Sequence, residues 1–341
     1  MQRPRMLNKI GQLVRWVRQV RHPPMAVLRY HRVADLETDP FGLAVAVRQF
    51  EQHLALIRAE YAPVPMTVFD RPDQIPRRAV VLTFDDGYHD FAATVQPLLG
   101  RYQVPATVFV TTEALPEPRE FWWDRVGRVC LAPGVLPSRL ELRRRANQAI
   151  RFDLAGSERY TAPDAERFRS WSLGSEEDPT GRHRLLRTLF SALQPLDATE
   201  RDDLTSQLER WTGVPVGPPV ARRLGAEELV ALSRDPLIEI GGHSVTHPHF
   251  RRIDRAGQWQ EISECKASLD RLLRRPTRSF AYPYGAAGGA AALARQAGFT
   301  MAFTTTEAVV RGWHGRFRLP RIRAVEDPDH FARRLRRLVG G

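Results

Sequence analysis

Ala79-Val80-Val81-Leu82-Thr83-Phe84-Asp85-Asp86-Gly87 (AVVLTFDDG, residues 79–87) sets a short apolar run directly against two carboxylates and a glycine. The β-branched, uninterrupted character of 79–84 reads as a buried strand, and the abrupt change at Asp85 marks its end. Taken alone, D-D-G is also an ordinary turn in which glycine supplies a positive φ. What surrounds the stretch decides between a turn and a site.

Working outward, the same alternation recurs. Strands are predicted at 26–30, 106–111, 237–241, 279–282, 300–304 and 319–325, and helices at 45–59, 91–102, 226–233, 258–274 and 290–297. Asp327-Pro328 opens a closing helix as cap and first-turn proline. Strands alternating with helices imply a parallel sheet, either a barrel or a doubly wound layer. Chemically capable residues follow three of the strands: Asp85-Asp86-Gly87 after VVLTF, His243 after IEIGG, and Pro283-Tyr284-Gly285 after SFAY. A barrel collects its active site at that C-terminal rim.

From about 116 to 223 the rhythm breaks into charged, helical sequence, with helices predicted at 140–153, 183–194 and 199–211, the last capped by Thr199. This reads as a mostly helical insertion in a domain running from 25 to 341. Residues 1–24 are basic, without an acid, and carry apolar residues at helical spacing. They read as an amphipathic N-terminal helix that either lies on an anionic membrane surface or closes one end of the core.

The chain has 341 residues, 43% of them hydrophobic, enough for one large core, and a formal charge of +12. Its basic residues are scattered among acids and are nearly all Arg, with Lys only at Lys9 and Lys266, so nucleic-acid binding is not expected. Anionic lipid or acidic glycan suits the charge better. Cys130 and Cys265, the only cysteines, form no C-x-x-C pattern and read as core residues. With no long apolar run or export signal, a cytoplasmic location is expected, peripheral at the inner face of the membrane if the N-terminal helix binds there. Oligomeric state is open.

In GGHSVTH, His243 and His247 are four residues apart. On a helical turn both imidazoles would share a face and clasp one ion, although H-x-x-x-H also arises by chance on solvated helices. Adding the Asp86 carboxylate completes one face of a coordination sphere, and Asp85, pointing elsewhere, is left for a substrate water. Two imidazoles and a carboxylate suit a divalent metal ion, zinc first, with cobalt, nickel, manganese or iron compatible.

TFDDG, HSVTH and AYPYG, in that order, resemble the first three motifs of the polysaccharide deacetylase family (NodB homology, carbohydrate esterase family 4). LRYHRV (28–33) and LPRI (319–322) are similar to segments of its bacterial members. The resemblance implies a distorted seven-stranded (β/α) barrel of TIM-like, NodB-homology type, here carrying the helical insertion. It implies Asp85 as general base, Asp86, His243 and His247 as metal ligands, and Tyr284 as donor of a backbone N–H to the oxyanion. The substrate class implied is an acylated, above all N-acetylated, carbohydrate; the lack of an export signal and the basic N-terminal segment point to a lipid-linked or nascent glycan at the inner face of the membrane.

Two departures stand out. The third motif of the family usually carries an Arg where this chain has Ala281, so the Arg supporting Asp85 must come from elsewhere; Arg321 is expected ahead of Arg278. The last motif normally offers a His, absent from FRLPRIR. His31, ending the first strand, is then the candidate acid or substrate contact, with a structural hydrogen-bonded His as the alternative; His314 and His330 read as loop and surface residues. Phe121-Trp122-Trp123 can either stack on a sugar or pin the insertion to the core, and Tyr88 and His89 are candidate groove residues. A catalytically weakened glycan-binding protein and a non-haem iron oxygenase are the alternative functions carried forward.

Overall fold

The computed structural model describes residues 23–213, 221–311, 315–324 and 327–339. The expected N-terminal helix of 1–24 and His314 lie outside the described residues, apart from Pro23 and Pro24.

Seven parallel strands form the central sheet: β1 (Ala26–Tyr30), β2 (Ala79–Phe84), β3 (Ala106–Val110), β4 (Ile238–Gly242), β5 (Ser279–Ala281), β6 (Met301–Phe303) and β7 (Ile322–Arg323). Their order is β6-β5-β4-β3-β2-β1-β7, and a short strand, Ala62–Pro63, pairs beside the start of β2. Leu319 bridges Phe303 of β6, while Ile322 and Arg323 pair with Leu28 and Arg29 of β1. The segment 319–323 thus passes from one end of the sheet to the other and closes a distorted (β/α) barrel. The single strand expected at 319–325 is shorter because it changes partners midway.

Alternate residues of the strands divide between two apolar layers. Ala26, Leu28 and Tyr30 of β1, with Val80, Leu82 and Phe84 of β2, pack outward against Phe50, Leu54 and Ile57 of α1 (Val47–Glu60). Met25, Val27, Ala79, Val81, Phe109, Ala281, Met301, Phe303 and Leu319 form a separate interior cluster, closed below by Met66 and Phe69. A two-residue period on a closed sheet has this consequence: on these strands the odd-numbered positions face the barrel axis. Continued to the strand ends, the same parity carries Arg29, His31, Asp85, His243, Thr305 and Arg321 to the rim.

Around the sheet run α1, α2 (Gln96–Tyr102), α6 (Ala226–Leu232), α7 (Arg255–Leu273), α8 (Ala291–Gln296) and α9 (Pro328–Val339). The interruption after β3 contains α3 (Trp122–Leu131), α4 (Gly181–Leu193) and α5 (Ala198–Trp211). It packs on a core of its own, in which Val126, Leu140, Leu142, Leu185, Leu186, Leu189, Leu204 and Leu208 are buried. A bridge of Arg223 to Tyr88 ties it to the rim, and a bridge of Arg222 to Glu120 joins its two ends.

Two expectations fail inside it. Residues 140–153 are not a helix but an antiparallel hairpin, Arg139–Arg143 against Ala149–Asp153. R-L-E-L-R alternates at period two, burying Leu140 and Leu142 and exposing the charges, which favours a strand over a helix. The cap of α5 is Asp197, whose side chain accepts from the Glu200 N–H, and not Thr199. Cys130 lies in the insertion's core and Cys265 in the outer barrel layer, both as free, buried thiols.

Candidate active site

Asp85 and Asp86 follow β2 without a break, and in extended backbone they would face opposite sides of the sheet. Asp86 instead has φ 74° and Gly87 φ 72°, a left-handed turn that brings both carboxylates to the same mouth. A side chain at Gly87 would also meet Val110 at 2.8 Å, so only glycine fits there. Ser244 (φ 70°), His247 (φ 58°) and Tyr284 (φ 55°) share the left-handed region. Each costs about 1–3 kcal/mol for a non-glycine residue, and such strain gathers where side chains must be aimed.

Arg321, fully buried, grips Asp85 with both ends of its guanidinium: Nη1 donates to Oδ1 at 2.6 Å and Nη2 to Oδ2 at 2.7 Å. Nε donates to the Thr304 carbonyl at 3.0 Å, and Phe109 and Phe303 lie against the fork. Burial pushes the Asp85 carboxyl upward, but Arg321 and His243 outweigh it and hold it at about 2. Asp85 is therefore ionised at neutral pH. Arg278 pairs with Asp70 instead, far from this pair in the fold.

Beside it, Asp86 Oδ1 stands 3.3 Å from Nε2 of His243 and 3.3 Å from Nε2 of His247. One donor atom from each residue lies within 4.8 Å of the others, and all three are buried. His243 Nδ1 donates to the Ala281 carbonyl at 2.7 Å, because that oxygen can only accept, and this bond turns Nε2 toward Asp86. Burial lowers the His247 imidazole against the pull of Asp86, keeping it neutral. Two imidazole nitrogens and a carboxylate converging in a buried pocket are the donor set a divalent cation takes.

The helical turn expected for H-x-x-x-H is absent. The loop after β4 is held by Glu261 of α7, which accepts from the Val245 and Thr246 N–H groups at 2.8 and 2.9 Å and from the Thr246 hydroxyl at 2.6 Å. The imidazoles converge because the loop reverses at two left-handed residues. Nothing in the sequence singles out Glu261 among the charges of α7.

The remaining candidates divide. His31 and Tyr284 line the same pocket of about 350 Å³ as Asp85, Asp86, His243 and His247. Burial pushes the His31 imidazole down to about 4, against the raising influence of Asp86 and Asp85. Trp123 both lines the pocket and pins the insertion: its ring centroid is 5.0 Å from that of His247, and its Nε1–H donates to the Tyr88 hydroxyl at 2.9 Å. Tyr88 is buried in that contact and donates to Asp124 at 2.8 Å, while His89 pairs with Glu228 at 2.7 Å; neither faces the pocket. Sequence reasoning missed Arg29, Phe41, Leu43, Leu173, Phe190, Gln194 and Thr305, which complete the lining. For Arg29 a signal existed: it stands two residues before His31, at the same parity.

Comparison with known proteins agrees with this geometry. The family model described as polysaccharide deacetylase matches residues 73–133 and 206–302, which carry Asp85, Asp86, His243, His247 and Tyr284. The chain belongs to the polysaccharide deacetylase family. The gap between the two matched segments falls inside the insertion. A curated relative, the poly-beta-1,6-N-acetyl-D-glucosamine N-deacetylase of Escherichia coli strain K12, is 32% identical over 90 residues; these are 25% of this chain and 13% of that protein. Among solved structures, the Streptococcus pyogenes deacetylase PplD in complex with acetate has a TM-score of 0.52 at 17% identity, covering 92% of this chain and 98% of that one. IcaB from Ammonifex degensii scores 0.52 at 16% identity, covering 92% and 95%. At such identities the likeness establishes the shared deacetylase barrel.

Proposed function

We propose that the protein is a divalent-metal-dependent hydrolase that removes an N-acetyl or related acyl group from a polysaccharide or a lipid-linked sugar. One observation carries this reading: an ionised, arginine-clamped carboxylate stands beside a separate carboxylate and imidazole pair in a single pocket. The family match and the N-deacetylase relative support it.

A divalent ion held by Asp86, His243 and His247, zinc first among the compatible metals, would supply Lewis acidity toward the acyl oxygen and a water molecule. The chain's own groups do the rest. Asp85 accepts a proton from the attacking water, and the double bond from Arg321 keeps its oxygens oriented for that task. The Tyr284 main-chain N–H is assigned to the negative charge that develops on the acyl oxygen. His31, kept neutral by burial in the same pocket, is assigned to contact the substrate, and the proton that Asp85 took from the water passes to the amine as the carbon–nitrogen bond breaks, releasing carboxylate and free amine. Leu43, Trp123 and Phe190 wall the pocket with apolar surface and limit bulk water there.

The test is metal analysis of the purified protein together with acetate release from N-acetylated oligosaccharides, before and after chelation, with Asp85→Asn as control. Release that needs the metal and collapses in Asp85→Asn is expected. Full turnover by Asp85→Asn would remove the general-base assignment; glycan binding with no acetate released from any acylated sugar would leave a binding protein on this barrel, and oxygen uptake with a 2-oxo acid would mark an oxygenase.

A further inference from the structure

Among the described residues, Arg29 is the cation in the pocket that has no counter-charge of its own. It lies on the inward face of β1 between Val27, in the barrel interior, and His31, at the rim. Among the described residues its guanidinium makes no hydrogen bond or ion pair, and its Nε is buried without a partner. The nearby acids are engaged elsewhere: both oxygens of Asp85 by Arg321, and Glu307 by Arg334 and by the Arg323 N–H. Arg321 and Arg323, also close, add positive charge. A part-buried guanidinium without a partner is costly, and the cost falls when a ligand supplies the missing anion.

We propose that Arg29 is a specificity-determining residue that receives an oxyanion of the substrate, a phosphate or a carboxylate borne close to the acylated amine. This rests on the hydrolase reading and narrows its substrate class to anionic acyl sugars. A planar fork with free donors matches either group in two-point contact. Burial, with Arg321 adding to it, pulls the Arg29 guanidinium down to about 10, so it is charged at neutral pH. The formal charge of +12 would gather such a substrate from solution. By contrast, the rest of the lining not already engaged is mostly apolar: Phe41, Leu43, Trp123, Leu173 and Phe190 offer a sugar surface to pack on but no counter-charge.

The test uses the metal-loaded enzyme and three matched N-acetylhexosamines: an uncharged methyl glycoside, a sugar phosphate and a uronate. The readout is the ratio of kcat/KM for each charged member to that of the neutral one, followed by acetate release. Wild type is expected to favour at least one charged member by about 10- to 100-fold, the factor one charge-assisted contact carries, and chiefly through KM. The phosphate and uronate arms separate the two sources of the anion. Arg29→Gln should bring the ratio near one and Arg29→Lys should restore part of it. Because a ratio is read, a general effect of Arg29 on Asp85 cancels. Calorimetry with inorganic phosphate should show tighter binding to wild type than to Arg29→Gln. No preference in wild type, a ratio unmoved by Arg29→Gln, or equal phosphate binding by the two proteins would overturn the proposal. Turnover of the neutral sugar without a charge preference sinks the role of Arg29 alone. If no sugar is turned over, the hydrolase reading fails and phosphate binding decides Arg29 separately. Should Arg29→Gln not fold, wild-type preference and phosphate competition decide it.

Discussion

The barrel rim and the insertion both line the pocket, yet they reach it by different means. From the rim come His31, Asp85, Asp86 and His243, each placed by strand parity or by a left-handed turn just past a strand, with Arg321 buried behind Asp85. From the insertion come Trp123, Leu173 and Phe190, placed by the packing of α3, α4 and their loops on a separate apolar core. One region fixes polar atoms to tenths of an ångström through short hydrogen bonds. The other presents surface. Chemistry should therefore be lost abruptly at the rim and access changed gradually at the insertion.

The largest effect is expected where the rim holds its ion. Asp86→Asn and His243→Ala should each lower kcat by about three orders of magnitude and reduce retained metal, measured by elemental analysis beside acetate release. Retained turnover without bound metal would break the assignment. Next comes Arg321→Met, which leaves Asp85 buried without a partner; a loss of about 3–5 kcal/mol in unfolding free energy is expected from urea titration. Arg321→Lys should recover only part of it, because an ammonium cannot donate to both carboxylate oxygens in the same plane. On the insertion side, Leu186→Ala opens a cavity in a fully buried position and should cost about 2–5 kcal/mol while changing KM more than kcat. A kcat collapse there equal to that of the rim variants would erase the distinction between the two regions.

How much of this could be read from the sequence follows the same division. The barrel was legible because its signals are local: AVVLTF and ATVFV are apolar apart from one Thr each, as expected of strands buried on both faces. Asp85, Asp86, His243 and Tyr284 stand directly after such runs, so parity and strand ends place them. The route by which His247 converges was not legible, since φ values at Ser244 and His247 and the grip of Glu261 depend on α7, packed from outside the motif. The insertion misled most. RLELRRRANQAIRFD has enough Leu, Arg and Ala for a helix, and only the two-residue alternation of Leu140 and Leu142 betrays the hairpin. Its fold is set by long-range burial against α5, for which no short pattern exists. Arg29 escaped notice for another reason. It breaks an apolar strand pattern, and such a breach carries meaning only once the interior face is known.

The smallest effect compares the regions through a pair of buried histidines. His53 of α1 stacks on Phe331, shares a hydrogen bond of 3.3 Å with the Tyr30 hydroxyl, and leaves Nε2 without a partner. His183 of α4 sits among Tyr160, Phe168 and Trp171, with Nδ1 2.8 Å from the Thr180 hydroxyl. Burial lowers each imidazole to about 4. Below the unfolded value of about 6.5 the unfolded chain takes up a proton that the folded chain refuses until about pH 4. Stability from each is thus complete above pH 6.5, declines as pH falls, and is lost near pH 4, by at most about 3 kcal/mol per group. His53→Leu and His183→Leu should each flatten the decline of urea midpoints between pH 6.5 and 4 by a similar amount. Flattening by His183→Leu alone would mean that acid opens the insertion while the barrel stays closed, which would make the roof of the pocket a unit that unfolds on its own.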